Sequence, residues 1–130
     1  MNQSKVSLYT QAFHFIGTKP TAVVFGDENA GGERVLVKSW RAVFVTILRH
    51  AIKDPNRHNQ LMGLRNMVLG KQRVIVSDKP DGMTRPFEIC EGLYCEVHYG
   101  TRTLMEILRF RILDVIGYRY GDIRIEIAER

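Results

Sequence analysis

The chain has few of the residues that mark specialised protein classes. Two cysteines and four prolines in 130 residues are too few for a disulfide-stapled scaffold or a proline-rich chain. Its apolar runs are short and interrupted by charged residues, whereas a membrane-spanning helix needs about 20 consecutive apolar residues. Residues 1–17 carry one lysine and an apolar stretch broken by Gln11 and His14, unlike a secretory signal. We therefore expect a cytoplasmic protein that does not contact a membrane.

The signature motifs of several enzyme classes are also missing. The chain has no G-x-x-x-x-G-K-[ST], G-x-G-x-x-G, H-E-x-x-H or G-x-S-x-G, the usual marks of phosphate-binding loops, dinucleotide sites, zinc proteases and α/β-hydrolases. It also lacks any Glu-x-Lys or Asp-x-Lys pair, a combination common in restriction-type nuclease sites. We therefore predict a non-enzymatic protein with no cofactor and no metal. An enzyme of unknown class is the least favoured possibility.

Cys90, Cys95 and His98 are the one cluster of soft metal ligands in the sequence, with the spacing C-x4-C-x2-H. A tetrahedral zinc site needs four ligands, so a fourth would have to come from a distant histidine. Because side chains alternate along a strand, Cys95 and His98 would lie on opposite faces. A buried thiol and a surface histidine are the favoured interpretation, and the sequence leaves open whether the three side chains converge.

Length and composition predict one ordered domain over residues 1–130. The chain is 45% hydrophobic and 25% charged, which is typical of a globular protein. A domain of this length buries roughly two-thirds of the surface that its unfolded chain exposes, enough for one core. We expect an N-terminal segment over residues 1–17 and an α+β core over residues 18–130.

Basic residues concentrate in the middle of the chain. The whole chain has 19 lysines and arginines, 14 acidic residues and a net charge of +5. Residues 34–79 alone hold ten basic and two acidic residues, a net charge of +8. Thirteen of the basic residues are arginines, whose planar guanidinium suits phosphate oxygens and base edges. The clustering favours a polyanionic partner, and a surface merely solubilised by basic residues is the alternative.

The first half of the core is predicted to be a β-hairpin followed by a basic amphipathic helix. Residues 21–25 and 34–38 are rich in β-branched side chains and are separated by a turn-rich segment, the pattern of a hairpin. Apolar residues then recur at three- and four-residue steps, which predicts a helix over residues 40–53 with Ser39 as its N-cap. The other face of this helix carries Arg41, Arg49, His50 and Lys53.

The rest of the chain is predicted to alternate strands with helices. Residues 103–106 fit a capping box, so we expect a helix from about residue 103 to residue 116. The other expected elements are a short helix over residues 58–69 and strands over residues 73–77, 87–90, 93–97 and 123–127. The order β-β-α-(α)-β-β-α-β predicts an α+β two-layer domain, with an antiparallel or mixed sheet packed by two main helices.

Three apolar side chains on the helix over residues 103–116, Ile107, Phe110 and Leu113, lie away from the face expected to be core. In one interpretation the N-terminal segment, with Phe13 and Phe15, covers them. In the other they form a patch that binds a partner or a second copy of the chain. We retain the three residues as a candidate partner or dimer patch, so a homodimer is one possibility.

The order of elements and four short segments resemble a group of small uncharacterised bacterial α+β domains. The segments are residues 37–40 (VKSW), 70–73 (GKQR), 92–96 (GLYCE) and 117–118 (GY), and the resemblance spans residues 18 to 127. These domains are associated with restriction and mobile-element neighbourhoods. The resemblance therefore implies nucleic-acid or defence-related biology, and it carries no catalytic residue.

The favoured function is a non-enzymatic module that binds nucleic acid, with DNA preferred, through phosphate contacts from residues 38–73. Tyr94 or Tyr99 is a candidate for stacking on a base. The alternative is a protein-interaction module, an inhibitor or adaptor of a nucleoprotein complex of the kind that phages and mobile elements encode. The predicted nucleic-acid contacts are Lys38, Arg41, Arg49, Lys53, Arg57, Arg65, Lys71 and Arg73.

Overall fold

Strands and helices both make up a large part of the molecule, which confirms the α+β class. The computed structural model describes residues 3–26, 32–67 and 74–128, without the side chains of residues 3, 4 and 13. All strand pairs in these ranges are antiparallel. The strands are β1 (Gln3–Ser7), β2 (Lys19–Phe25), β3 (Glu33–Leu36), β4 (Val76–Ser77), β5 (Pro86–Cys90), β6 (Leu93–Glu96) and β7 (Ile123–Ala128).

The larger sheet has four strands in the order β1-β7-β2-β3. The predicted hairpin is confirmed as the β2–β3 pair. The C-terminal strand β7 lies between β1 and β2, where Ile125 is opposite both Val6 and Val23. Strand β1 was not predicted, because Gln3–Ser7 has only one strongly apolar residue and is recruited by its distant partner.

The smaller sheet has three strands in the order β4-β6-β5, so the strands divide between two sheets instead of forming one. Glu96 on β6 is fully buried, as are its neighbours Cys95 and Val97, so the polar residue does not face solvent as strict alternation would place it. Its carboxylate accepts backbone hydrogen bonds from Thr84 (2.6 Å), Arg85 (2.8 Å) and His98 (3.3 Å). The carboxylate is buried because three N–H groups replace its hydration.

Helices α1 (Trp40–Ala51) and α2 (Pro55–Met62) follow the hairpin. The predicted N-cap of α1 is confirmed, since the Ser39 hydroxyl accepts a hydrogen bond from the Ala42 N–H at 3.1 Å. Helix α2 begins three residues earlier than predicted. Pro55 takes its first position, where the missing N–H has no cost, and Asp54 caps it.

The last helix begins with α3 (Thr101–Glu106) and continues as a π-helix over Ile107–Leu113. The predicted capping box is wrong, because the helix starts at Thr101 after Gly100 and no side chain caps it. In the π-helical part the Asp114 N–H bonds the Arg109 carbonyl at 2.9 Å, a five-residue step. This wider winding shifts the side chains away from the positions that a step of 100° per residue predicts.

The three residues of the candidate partner or dimer patch do not form one exposed surface. Ile107 and Leu113 are buried, and only Phe110, at 51% exposed, reaches the surface. A 3-10 turn over Ala12–Phe15 packs against α3, with Phe15 buried. The N-terminal segment therefore contacts the first part of the helix, as in the first interpretation, whereas Ile107 and Leu113 are buried in the common core. The same segment contacts Arg109, which is buried and donates hydrogen bonds to the Thr10 and Tyr9 carbonyls.

Helix α1 contacts β2 of the larger sheet, β5 of the smaller sheet and α3. Its inner side chains Val43, Phe44, Ile47 and Leu48 are fully buried in a cluster that includes residues of both sheets. The opposite side of α1 stays at the surface. Within the described ranges, no helix has the length and apolarity needed to span a membrane.

Candidate functional site

The outer side of α1 forms the floor of a shallow trough. Ser39, Ala42, Thr46, Arg49 and Lys53 recur at three- or four-residue steps, and none of them is buried. At 1.5 Å per residue this stripe is about 20 Å long. Residues of β3 flank it on one side and residues of β5 on the other.

Three adjoining concavities make up the trough. The first, about 520 Å³, lies at the N-terminal end of α1, and the second, about 350 Å³, lies between α1 and β5. The third, about 270 Å³, lies between α1 and the β2–β3 hairpin. The first and second share Ser39 and Arg41, and the second and third share Thr46 and Arg49. The three concavities therefore adjoin one another along the helix.

The lining of the trough is strongly basic. Among the described residues its one carboxylate is Glu33, on β3. An excess of cations over one concave strip attracts anions from solution. The lysines and arginines that line it are Lys19, Lys38, Arg41, Arg49, Lys53 and Arg85.

The two arginines of α1 are held in place by neutral groups. Arg41 donates from Nε to the Val97 carbonyl at 3.2 Å. Arg49 donates from Nε to the Ile89 carbonyl at 3.2 Å and from Nη2 to the Glu88 carbonyl at 2.8 Å. Because carbonyls carry no net charge, each guanidinium keeps its full positive charge. A guanidinium has five N–H donors, so each one also keeps donors for a ligand.

The third concavity is less cationic than its residues suggest. Lys53 Nζ lies 3.3 Å from Glu33 Oε1, and both side chains are about half exposed or more. His50 stacks on Phe25 at 3.8 Å between ring centroids, and its Nδ1 lies 2.9 Å from the Tyr118 hydroxyl. Burial, followed by the charge of Lys53, lowers the pKa of His50. The imidazole is therefore neutral near pH 7.

Aromatic side chains line two of the three concavities at the surface of the trough. Phe87 on β5 is 40% exposed, and the Arg49 guanidinium carbon lies 5.3 Å from its ring centroid. Tyr99 lines the first concavity. Tyr94, the other predicted stacking residue, donates its hydroxyl hydrogen bond to Glu88 at 3.0 Å and does not line the trough.

The structure brings together four of the eight predicted nucleic-acid contacts. Lys38, Arg41, Arg49 and Lys53 line the trough. Arg57 and Arg65 do not: Arg57 bonds Gln60 within α2, and Arg65 bonds the Gly92 carbonyl at 3.2 Å. The remaining two, Lys71 and Arg73, lie outside the described residues.

Sequence reasoning missed Lys19, Arg85 and Phe87. Lys19 and Arg85 lie outside the basic stretch of residues 34–79, so a count of charge along the chain could not find them. Phe87 pairs with the buried Cys95, and the predicted strand over residues 87–90 was too short to show which face it occupies. These three residues reach α1 only through the packing of the two sheets.

The cysteine and histidine cluster has a different arrangement from a metal site. Burial raises the pKa of Cys95 to about 12, so its thiol stays protonated. Cys90 Sγ lies 3.7 Å from Nε2 of His58, not of His98, and burial raises its pKa as well. In the ranges that the structure describes, no group of three or more histidine, cysteine, aspartate or glutamate side chains is placed to hold a metal ion.

Comparisons with known proteins were made for the whole chain. No protein-family model, no curated protein and no solved structure matches it.

Proposed function

We propose that the chain is a non-enzymatic nucleic-acid-binding protein that holds phosphates along the α1 trough. The observation that carries this proposal is the charge of the trough, six lysines and arginines against one carboxylate among the described lining residues. Phosphate contacts supply most of the affinity of sequence-independent nucleic-acid binding.

The way in which the arginines are held also supports the proposal. Arg41 and Arg49 are oriented by backbone carbonyls, so they lose less side-chain freedom when a phosphate binds. Arginine suits this role because its planar donors match phosphate oxygens. At the duplex rise of about 3.4 Å per base pair, the trough length of about 20 Å would span about six base pairs.

Within this proposal, DNA is the preferred polymer and the cytoplasm is the working compartment. Cys90 and Cys95 are both free thiols, which fits a reducing compartment.

The test is fluorescence anisotropy with labelled single-stranded DNA, duplex DNA and RNA over a salt titration from about 50 to about 200 mM. We expect log affinity to fall linearly with log salt, with a slope that reports several phosphate contacts. The double variant Lys38→Gln/Arg49→Gln is expected to reduce that slope by about 1.4 for a single strand or about 1.8 for a duplex.

The matched control is Lys79→Gln/Arg119→Gln, which removes the same charge at two exposed positions outside the trough. Equal losses in both double variants would mean that net charge, and not the trough, drives binding. Failure of the folded protein to bind any of the three polymers at low salt would overturn the proposal. That result would favour the protein-interaction alternative.

A further inference from the structure

We infer that the trough takes a single strand, DNA or RNA, and that Phe87 stacks on one of its bases. This inference rests on the proposed function, since it specifies the form of nucleic acid that the same trough binds. Three features carry it: the position of α1 between side chains of both sheets, the exposed ring of Phe87, and the cations Arg49 and Arg85 near that ring.

Helix α1 lies between side chains of both sheets, which favours a single strand over a duplex as the ligand. A helix that reads a duplex must project into the major groove, which is about 12 Å wide and just admits one helix with its side chains. Seven of the twelve α1 residues are buried. Side chains of β3, among them Val35, and of β5, among them Phe87, stand on either side of it. Side chains on both sides of the helix would hinder its entry into the groove of a duplex, whereas a flexible single strand can follow the concavities beside the helix.

Phe87 has the exposure and the setting of a stacking platform. Its cross-strand partner Cys95 is buried, but the Phe87 side chain is 40% exposed and lines the trough. Arg49 lies over the ring, and Arg85 lines the same concavity. Proteins that bind single strands combine an exposed aromatic ring for the base with adjacent cations for the backbone. Tyr99, at the Lys38 end, lies where a second base of the same strand would pass.

The chain offers a close internal control for Phe87. Phe110 is also an exposed phenylalanine, at 51%, and it also has an arginine over its ring, since the Arg109 guanidinium carbon lies 4.9 Å from the ring centroid. Phe110 lies on the π-helical segment and does not line the trough. A loss of binding caused by removing any exposed aromatic ring would therefore appear in both phenylalanine variants.

The experiment measures anisotropy with labelled oligonucleotides of about 12 nucleotides, a length typical of single-strand sites. The probes are single-stranded DNA, single-stranded RNA, the duplex, and an abasic DNA strand that has phosphates but no bases. We expect at least one single strand to bind roughly 10-fold or more tighter than the duplex. Phe87→Ala should weaken that binding by roughly 5- to 100-fold, and Phe110→Ala should leave it unchanged.

Three further measurements distinguish stacking by Phe87 from a purely structural role of its side chain. Phe87→Trp and Phe87→Tyr keep an aromatic face and should retain binding, whereas Phe87→Leu keeps apolar bulk without the ring and should behave as Phe87→Ala does. The Phe87→Ala effect should vanish on the abasic strand. An equal effect on the abasic strand would overturn the stacking assignment.

The failure of this inference is distinguishable from the failure of the proposed function. Duplex and single strands binding equally well, with no effect of Phe87→Ala, would overturn the inference and leave the phosphate-binding proposal standing. Failure of every probe to bind would overturn both. If Phe87→Ala does not fold, the Trp, Tyr and Leu variants decide the question by the same criteria.

Discussion

The outer face of the larger sheet and the α1 trough both carry arginines, but the two regions hold them in opposite ways. On the sheet, Arg34 makes a two-pronged ion pair with Glu126, with Nε to Oε2 and Nη2 to Oε1 both at 2.8 Å. In the trough, Arg41 and Arg49 bond only to backbone carbonyls. The first arrangement neutralises its arginine, and the second leaves the charge available.

The small side chain of Ala22 permits the ion pair on the sheet. Ala22 lies on β2 between the two partners' strands, opposite Glu126 on one side and Leu36 on the other. Arg34 is opposite Val24, the next residue of β2 on the same face of the sheet, and reaches diagonally across β2 to the carboxylate. The comparison shows that the binding potential of a basic residue depends on its partner and not on its place in a basic stretch.

The largest expected effect comes from making the trough resemble the sheet face. Thr46 and Arg49 together line the second and third concavities. The substitution Thr46→Glu therefore places a carboxylate on the trough floor beside Arg49. The new carboxylate both neutralises a cation and repels phosphates, and like charges brought together cost several kcal/mol. We expect oligonucleotide affinity to fall by roughly 100-fold, with little change in thermal stability, as measured by anisotropy and calorimetry.

Thr46→Gln has nearly the same shape and no charge, so it separates electrostatics from crowding. A 100-fold loss with Thr46→Gln as well would mean that bulk in the trough blocks the strand. Unchanged affinity with Thr46→Glu would show that the trough is not where phosphates bind.

The second-largest expected effect is a loss of stability when the Arg34–Glu126 ion pair on the sheet is broken. The hydrogen bond from Arg34 lowers the pKa of Glu126 from its usual 4.5, so the pair contributes stability above that pH and loses it as the pH falls through the lowered pKa. Glu126→Gln should reduce the free energy of unfolding at pH 7 by about 1 to 2 kcal/mol, since the Arg34 side chain is partly exposed. Oligonucleotide affinity should stay unchanged.

Urea unfolding of both proteins between pH 7 and about pH 3 checks this. The two stabilities should converge as the medium becomes acidic. A stability difference that persists at low pH would mean that the ion pair is not the source of the stability. A change in oligonucleotide affinity would mean that the sheet face also takes part in binding.

The contrast between Arg34 and Arg49 also shows which features of the fold and the site the sequence could predict. The hairpin, α1 with its Ser39 cap, and β7 depend on local patterns and were predicted near their observed positions. The charge count treated Arg34 and Arg49 alike, although a distant carboxylate neutralises only the first. Likewise, Lys19 and Arg85 join the trough, and Arg109 becomes buried, through contacts between segments far apart in sequence.

The smallest expected effect concerns the pH response of His50, at the end of the trough. Its pKa is lowered from 6.5, mainly by burial and then by Lys53, while Glu33 acts in the opposite direction. The unfolded chain therefore binds this proton more readily, so the stability that His50 contributes is complete above pH 6.5 and falls as the pH drops below it. His50→Gln should remove that part of the pH dependence of unfolding, measured in urea at a series of pH values.

Oligonucleotide binding should shift the pKa of His50 in the opposite direction. A phosphate near Lys53 offsets the positive charge that disfavours the imidazolium, so the pKa of His50 should rise in the complex. Affinity should then increase a few-fold as the pH falls from 7 toward 6, and His50→Gln should show less of this increase. NMR titration of the His50 ring in the free and bound protein measures both pKa values. An unchanged pKa on binding would place the phosphates away from the Lys53 end and confine the bound strand to the first two concavities.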